Sequence, residues 1–316
     1  MTNVLLYTVT VLIWGSTWFA IEFQLGTVAV EVSLTYRYLS AAALLFAWCG
    51  ISGRSLRFDA RAHRYFALLG VFLFGLNYIL AYYAQVHITS ALSAIAFSSM
   101  LWMNIFNARL FLGTRIERTT YAGAALGVVG IVILFWPEVR SVSLSDATLL
   151  GASLAIAGGA VASLGNIISQ RAQQAGLPVV QSNAWGMLYG GMFLTMAALL
   201  QGRTFNFELS SAYISSLVFL VIFGSIVAFG CYLTLLGRIG AHRSGYVVVM
   251  FPIVAVILSA VFEGLTIDAH VVVGAGIALA GNLVILGGRF RRGRDQPQQE
   301  PDQPMATVRE TSRSPA

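Results

Sequence analysis

The chain is 316 residues long, 57% hydrophobic and only 10% charged, against the ~25% charged usage of a soluble domain, so a single core facing water is excluded. Its net charge of +6 comes from 19 basic side chains, all arginine, which flank apolar runs instead of forming a basic stripe. That placement points to a membrane surface and away from nucleic acid.

Ten apolar stretches follow one another with little chain between them. A helix of ~20 residues at ~1.5 Å per residue crosses the ~30 Å hydrocarbon core, and the loops that remain average under ~10 residues. No loop holds a separate domain. The runs are continuous, which disfavours the alternating, shorter segments of a membrane barrel. The expected fold is therefore an all-α membrane protein with ten transmembrane helices.

The first span, roughly 4 to 23, carries Tyr7, Trp14, Trp18 and Glu22 on one helical face. It lacks the basic start and small-residue cleavage site of a secretion signal, so it is read as retained. The second, roughly 32 to 50, opens on Arg37 and is followed by Arg54, Arg57, Arg61 and Arg64. The third, roughly 65 to 84, aligns Tyr78, Tyr82 and Gln85, and the fourth, roughly 90 to 111, contains Trp102. The fifth, roughly 119 to 136, carries Gly123 and Gly127 as a G-x-x-x-G that lets helices approach closely.

In the second half, the sixth span (roughly 148 to 169) aligns Ser163, Asn166 and Gln170, and the seventh (roughly 179 to 200) Trp185 and Tyr189. The eighth, roughly 212 to 235, pairs Phe229 with Tyr232. The ninth, roughly 244 to 262, has Tyr246 at its start and Pro252 as an expected kink. The tenth, roughly 270 to 287, contains Gly274 and Gly281 as expected packing positions. Residues 289–316 are arginine-rich and then polar, the composition of a disordered tail.

Polar and aromatic groups at helical period are costly against lipid. Trp14, Trp18, Tyr78, Tyr82, Trp102, Asn166, Trp185, Tyr232 and Tyr246 are therefore the candidate lining of a substrate cavity. Glu22 and Arg37 are charges near the same ends of adjacent spans. They are read as a structural ion pair, the sharper alternative being a proton-coupling role for Glu22. Cys49 and Cys231 carry no metal or disulfide signature, and the four histidines form no cluster. Neither a metal nor a cofactor is expected.

Basic residues concentrate in the even-numbered loops and after the last span, which makes those loops and both termini cytoplasmic. The halves also echo one another. Gly123, Gly127, Gly130 and Leu134 match Gly274, Ala278, Gly281 and Ile285 at a constant offset, as Ile116 and Glu117 match Ile267 and Asp268. A five-span unit duplicated in tandem enters the membrane in opposite senses, giving two inverted repeats over 1–137 and 138–288, with a site between them near the midplane.

With Trp14, Gly15 and Ser16, the Tyr36-Arg37-Tyr38 opening, L-G-T-R-I after the fourth span, and the run from Phe251 to Thr266 in view, the chain resembles the drug/metabolite transporter superfamily in its EamA-like branch. The resemblance covers about residues 4 to 287. It implies two five-helix inverted repeats, a cavity lined by spans one to four and six to nine, an inner-membrane location, and substrates among amino acids, other metabolites and drugs. Two departures stand out: Leu101 and Thr114 occupy places where the family often has a proline and a glutamate.

The expected function is a secondary transporter, an exporter by resemblance, for a small neutral, zwitterionic or amphipathic solute such as an amino acid. A phosphate-binding loop needs a lysine and the chain has none, which excludes ATP drive within it. A non-transporting sensor or scaffold is the alternative, and an intramembrane enzyme a weaker one, since paired aspartates or an H-E-x-x-H are missing. The expected partners are the solute and the bilayer, with room for a homodimer.

Overall fold

The computed structural model describes residues 1–134, 136, 140, 146–251, 253, 254 and 268–292. Among them every regular element is helical. Helix α1 (Asn3–Glu22) starts at Thr2, whose hydroxyl accepts the Leu5 N–H at 3.3 Å, satisfying one of the donors a helix start leaves free. Helix α2 (Val30–Ile51) follows after a short connection.

The third span is continuous over Ala60–His87 but not uniform. It runs as α3 (Ala60–Leu69), a π-helical stretch π1 (Gly70–Leu76) and α4 (Asn77–His87). The fourth is broken: α5 (Ser90–Phe97) and α6 (Met100–Leu112) meet at Ser98 and Ser99, and α6 closes on Gly113 at φ +63°. Helix α7 (Arg118–Leu134) follows.

Helices α8 (Asp146–Gln174) and α9 (Val179–Leu200) come next. Then α10 (Ser211–Phe219), a second π-helical stretch π2 (Leu220–Val227) and α11 (Ala228–Ile239) form one continuous helix. The short α12 (Ala241–Ser244) leads into helical residues 246–251, and α13 (Ala269–Arg292) ends the described chain. Residues 289–292, which the sequence assigns to the tail, continue α13. Pro252 and most of the remainder of the ninth span lie outside the described residues, as do 293–316.

Among the described residues six helices are long and apolar enough to cross a membrane: Asn3–Glu22, Val30–Ile51, Ala60–His87, Leu92–Leu112, Asp146–Gln174 and Ser211–Ile239. Helices α2 and α9 pack extensively, as do α4 and α8, and α7 with α13. Small residues make these approaches. A Cβ on Gly281 would lie 2.7 Å from the Gly123 carbonyl oxygen and 2.8 Å from the Gly127 nitrogen, so α7 and α13 touch backbone to backbone. Gly70 does the same for π1 against α9, where a Cβ would meet the Gly190 nitrogen at 2.6 Å.

Candidate functional site

Helices from both halves line a cavity of about 60 Å³. Trp14, Trp18, Tyr78, Asn166 and Tyr232 line it, joined by Asn77, Phe97, Met100, Phe229 and Phe251. The wall is an aromatic cage. Trp14 meets Phe229 edge-on at 4.9 Å, Tyr232 at 4.8 Å and Phe251 at 5.6 Å, while Trp18 meets Phe97 at 5.7 Å. Such offsets suit ring quadrupoles and hold each ring in one orientation.

The π-helical stretches shape this wall. The Ala228 N–H bonds the carbonyls of Phe223 and Ser225, so it bypasses that of Gly224, which accepts the Trp14 indole N–H at 3.1 Å. A π turn redirects a carbonyl that a regular helix would hold in its own ladder. Ser225, in the same stretch, accepts from the Arg37 Nε at 2.9 Å. On the opposite wall π1 contributes Leu73 and delivers Asn77 and Tyr78 to the cavity.

Arg37 is 1% exposed. Its Nη1 donates to the Tyr82 hydroxyl at 3.3 Å, and its guanidinium lies 4.8 Å from the Tyr78 ring centre and 5.3 Å from that of Tyr38. Glu22, in contrast, is exposed at the end of α1. Among the described residues the ion pairs are Arg203 with Glu31 and Arg243 with Glu117, so the pairing of Glu22 with Arg37 is corrected. Arg37 is buried within the bundle, whereas Glu22 is exposed at the end of α1.

A second polar group sits toward the termini. Asn166 Nδ2 donates to Asn104 Oδ1 at 3.2 Å, with the Tyr232 hydroxyl beside both, and Asn107 Nδ2 donates to Ser163 Oγ at 2.9 Å. The Asn77 and Asn166 carboxamide oxygens are buried without a donor, an arrangement that awaits a partner.

Polar ties join helices at both ends of the bundle. At one end the fully buried Glu31 accepts from Tyr83 at 2.7 Å and Gln201 at 3.2 Å, and faces Arg203 at 3.7 Å. At the other, Gln170 accepts from the Ala241 N–H at 2.8 Å, Gln173 donates to the Leu233 carbonyl at 2.9 Å, and Arg243 meets Glu117 at 3.5 Å.

Four expected lining residues lie elsewhere. Tyr82 is buried one turn beyond Tyr78 and turned to Arg37. Trp102 is 37% exposed and stacks on Tyr121. Trp185 donates to the Leu56 carbonyl at 3.2 Å and packs on Phe46 and His63. Tyr246 donates to the Thr120 carbonyl at 2.7 Å. Among the described residues no three metal-ligating side chains cluster.

A family model described as the EamA-like transporter family matches residues 1–136 and 149–287. An inner membrane transporter of Escherichia coli, YedA, described as uncharacterized, is 24% identical over 281 residues, covering 88% of this chain and 89% of its own. A Salmonella typhimurium protein described as a probable amino-acid metabolite efflux pump is 27% identical over 217 residues, 66% of this chain and 67% of its own. A crystal structure 17% identical in sequence covers 93% of this chain and 99% of its own at a TM-score of 0.75, a likeness of fold.

Proposed function

We propose that this chain, which belongs to the EamA-like transporter family, is an inner-membrane secondary transporter that exports a small amphipathic solute, with an amino acid as the solute class. The observation that carries this reading is the aromatic cavity built from both halves. At about 60 Å³ it has room for only ~2 to 5 waters. A solute enters when one set of ties opens and leaves when the other does, which is alternating access.

Further support comes from the two halves. The family model matches in two segments, and each π-helical stretch occupies the third span of its own half, Gly70–Leu76 and Leu220–Val227. That is the correspondence expected of ten spans in two inverted five-helix repeats, divided at about 137 and 138, with both termini cytoplasmic by the arginine distribution. The description of the Salmonella relative supports export and an amino-acid-derived solute.

A thermal-shift screen of the purified chain against small metabolites tests the cavity, because a ligand of the folded state alone raises apparent stability. A stabilising metabolite is expected to lose its effect in both Trp14→Ala and Tyr78→Ala. Persistence of the shift in both variants contradicts the assignment.

A further inference from the structure

Four arginines around the turn between α2 and α3 find no partner on their own chain. Arg54, Arg57, Arg61 and Arg64 are all exposed, and among the described residues none of their side chains makes a hydrogen bond or an ion pair. Other arginines near helix ends are engaged: Arg171 donates to the Phe111 carbonyl at 2.6 Å, Arg238 to the Met1 carbonyl at 2.9 Å, and Arg243 meets Glu117 at 3.5 Å. The one acid among the four, Asp59, is committed to capping α3, where it accepts the Ala62 N–H at 2.8 Å. The first turn of α3 therefore holds Arg61 and no acid, a cation set against the helix dipole. Orienting a span during insertion needs only the charge of such residues. It does not explain why they are held together, unpaired, in one fixed turn.

The turn is pinned from below. Gly53, at φ +63°, ends α2, the Trp185 indole N–H holds the Leu56 carbonyl at 3.2 Å, and Phe58 packs edge-on against Phe66 at 5.2 Å. Leu56 and Phe58 are half-buried, and the arginines beside them stay outside. Along α3, Arg61, Arg64 and Leu68 share the outward face, opposite the buried Ala62, Phe66 and Leu69. Trp48 and Ile51 are exposed at the end of α2. Helix α2 is long and apolar enough to cross a membrane, so its end lies at the level of the headgroups. The patch is thus apolar on its hydrocarbon side and cationic above it.

We propose that the turn between α2 and α3 is a docking surface for the headgroups of anionic phospholipids. The guanidinium forks of the four arginines match phosphate oxygens, and the acyl chains lie against Trp48, Ile51 and Leu68. Charge complementarity selects this partner, because each arginine near a negatively charged leaflet adds to the attraction. A turn already held by Trp185 and Phe66 loses little freedom on binding. Zwitterionic lipids offer the same apolar contacts without the net charge. This surface is separate from the chamber and does not depend on which solute is carried.

Thermal unfolding of the full chain in neutral detergent, with added phosphatidylglycerol or phosphatidylcholine of the same acyl chains, tests the site. At low salt phosphatidylglycerol is expected to raise the melting temperature by about 2 °C or more beyond phosphatidylcholine, and high salt is expected to shrink that excess. Arg57→Gln combined with Arg61→Gln is expected to abolish the excess. Arg115→Gln combined with Arg118→Gln, which removes the same charge from the connection before α7, is expected to keep it. Inorganic phosphate at the same concentration is expected to give none. Equal responses of the natural chain to the two lipids overturn the site. So does any outcome in which the first double variant is not alone in losing the excess, since net charge then suffices. A phosphate effect equal to that of phosphatidylglycerol overturns lipid docking in favour of a free anion.

Discussion

His242 shows how one side chain outside the spans couples the fold to pH. Burial first, and the neighbouring Arg243 second, push its imidazole down to about 4, with Glu117 opposing them, and its Nδ1 is buried without a partner. The folded chain therefore keeps the ring neutral. Stability that is fully present above the ordinary value of ~6.5 is lost as pH falls toward the depressed one. The melting temperature of His242→Gln is expected to fall less than that of the natural chain between pH 7 and pH 4. Equal falls contradict this account of the site. Side chains were legible in the sequence where spacing fixes them: Trp14 and Trp18 share a face at helical period, and both reach the cavity. Rotation about a helix axis was not legible. Arg37 is buried where Glu22 is exposed, Trp102 is 37% exposed, and Trp185 packs on a neighbouring helix.

At the scale of elements, interruptions of the regular helix shape the cavity. The break at Ser98 and Ser99 turns Phe97 and Met100 toward the wall, and the π-helical stretches set the phase of Asn77, Tyr78 and Phe229. The sequence carried hints: adjacent serines mark kinks in long helices. A strict 3.6-residue period cannot register an inserted residue, so Asn77 and Phe97 were missed as lining. Where two helices meet directly, the constraint is steric. Gly281→Val in α13 forces a side chain onto the backbone of α7 and is expected to lower stability by about 1 to 3 kcal/mol or more, the scale of overpacking. A Cβ on Gly276, in the same helix, meets nothing within 4 Å, and Gly276→Ala is expected to be neutral or to stabilise by up to ~1 kcal/mol. Thermal unfolding in detergent checks both; similar effects of the two contradict the direct contact of α7 with α13.

The molecule as a whole is an apolar shell around a small polar-tipped aromatic chamber, with ties at each end. Composition and run length sufficed for its helical, membrane-spanning character. These ties were beyond reach, since Glu31 with Tyr83, Gln201 and Arg203 joins residues far apart in the chain. Both cysteines are free and buried, so a variant with Cys49→Ser and Cys231→Ser offers a background for one new thiol. Thr17→Cys in that background puts it on the cavity wall. Labelling in oriented vesicles with a membrane-impermeant thiosulfonate, from either side in turn, is the most direct measurement. The account predicts reaction from both sides, slowed by a solute that stabilises the protein. Reaction from neither side, or from one side at a rate no solute alters, contradicts a route through the chamber.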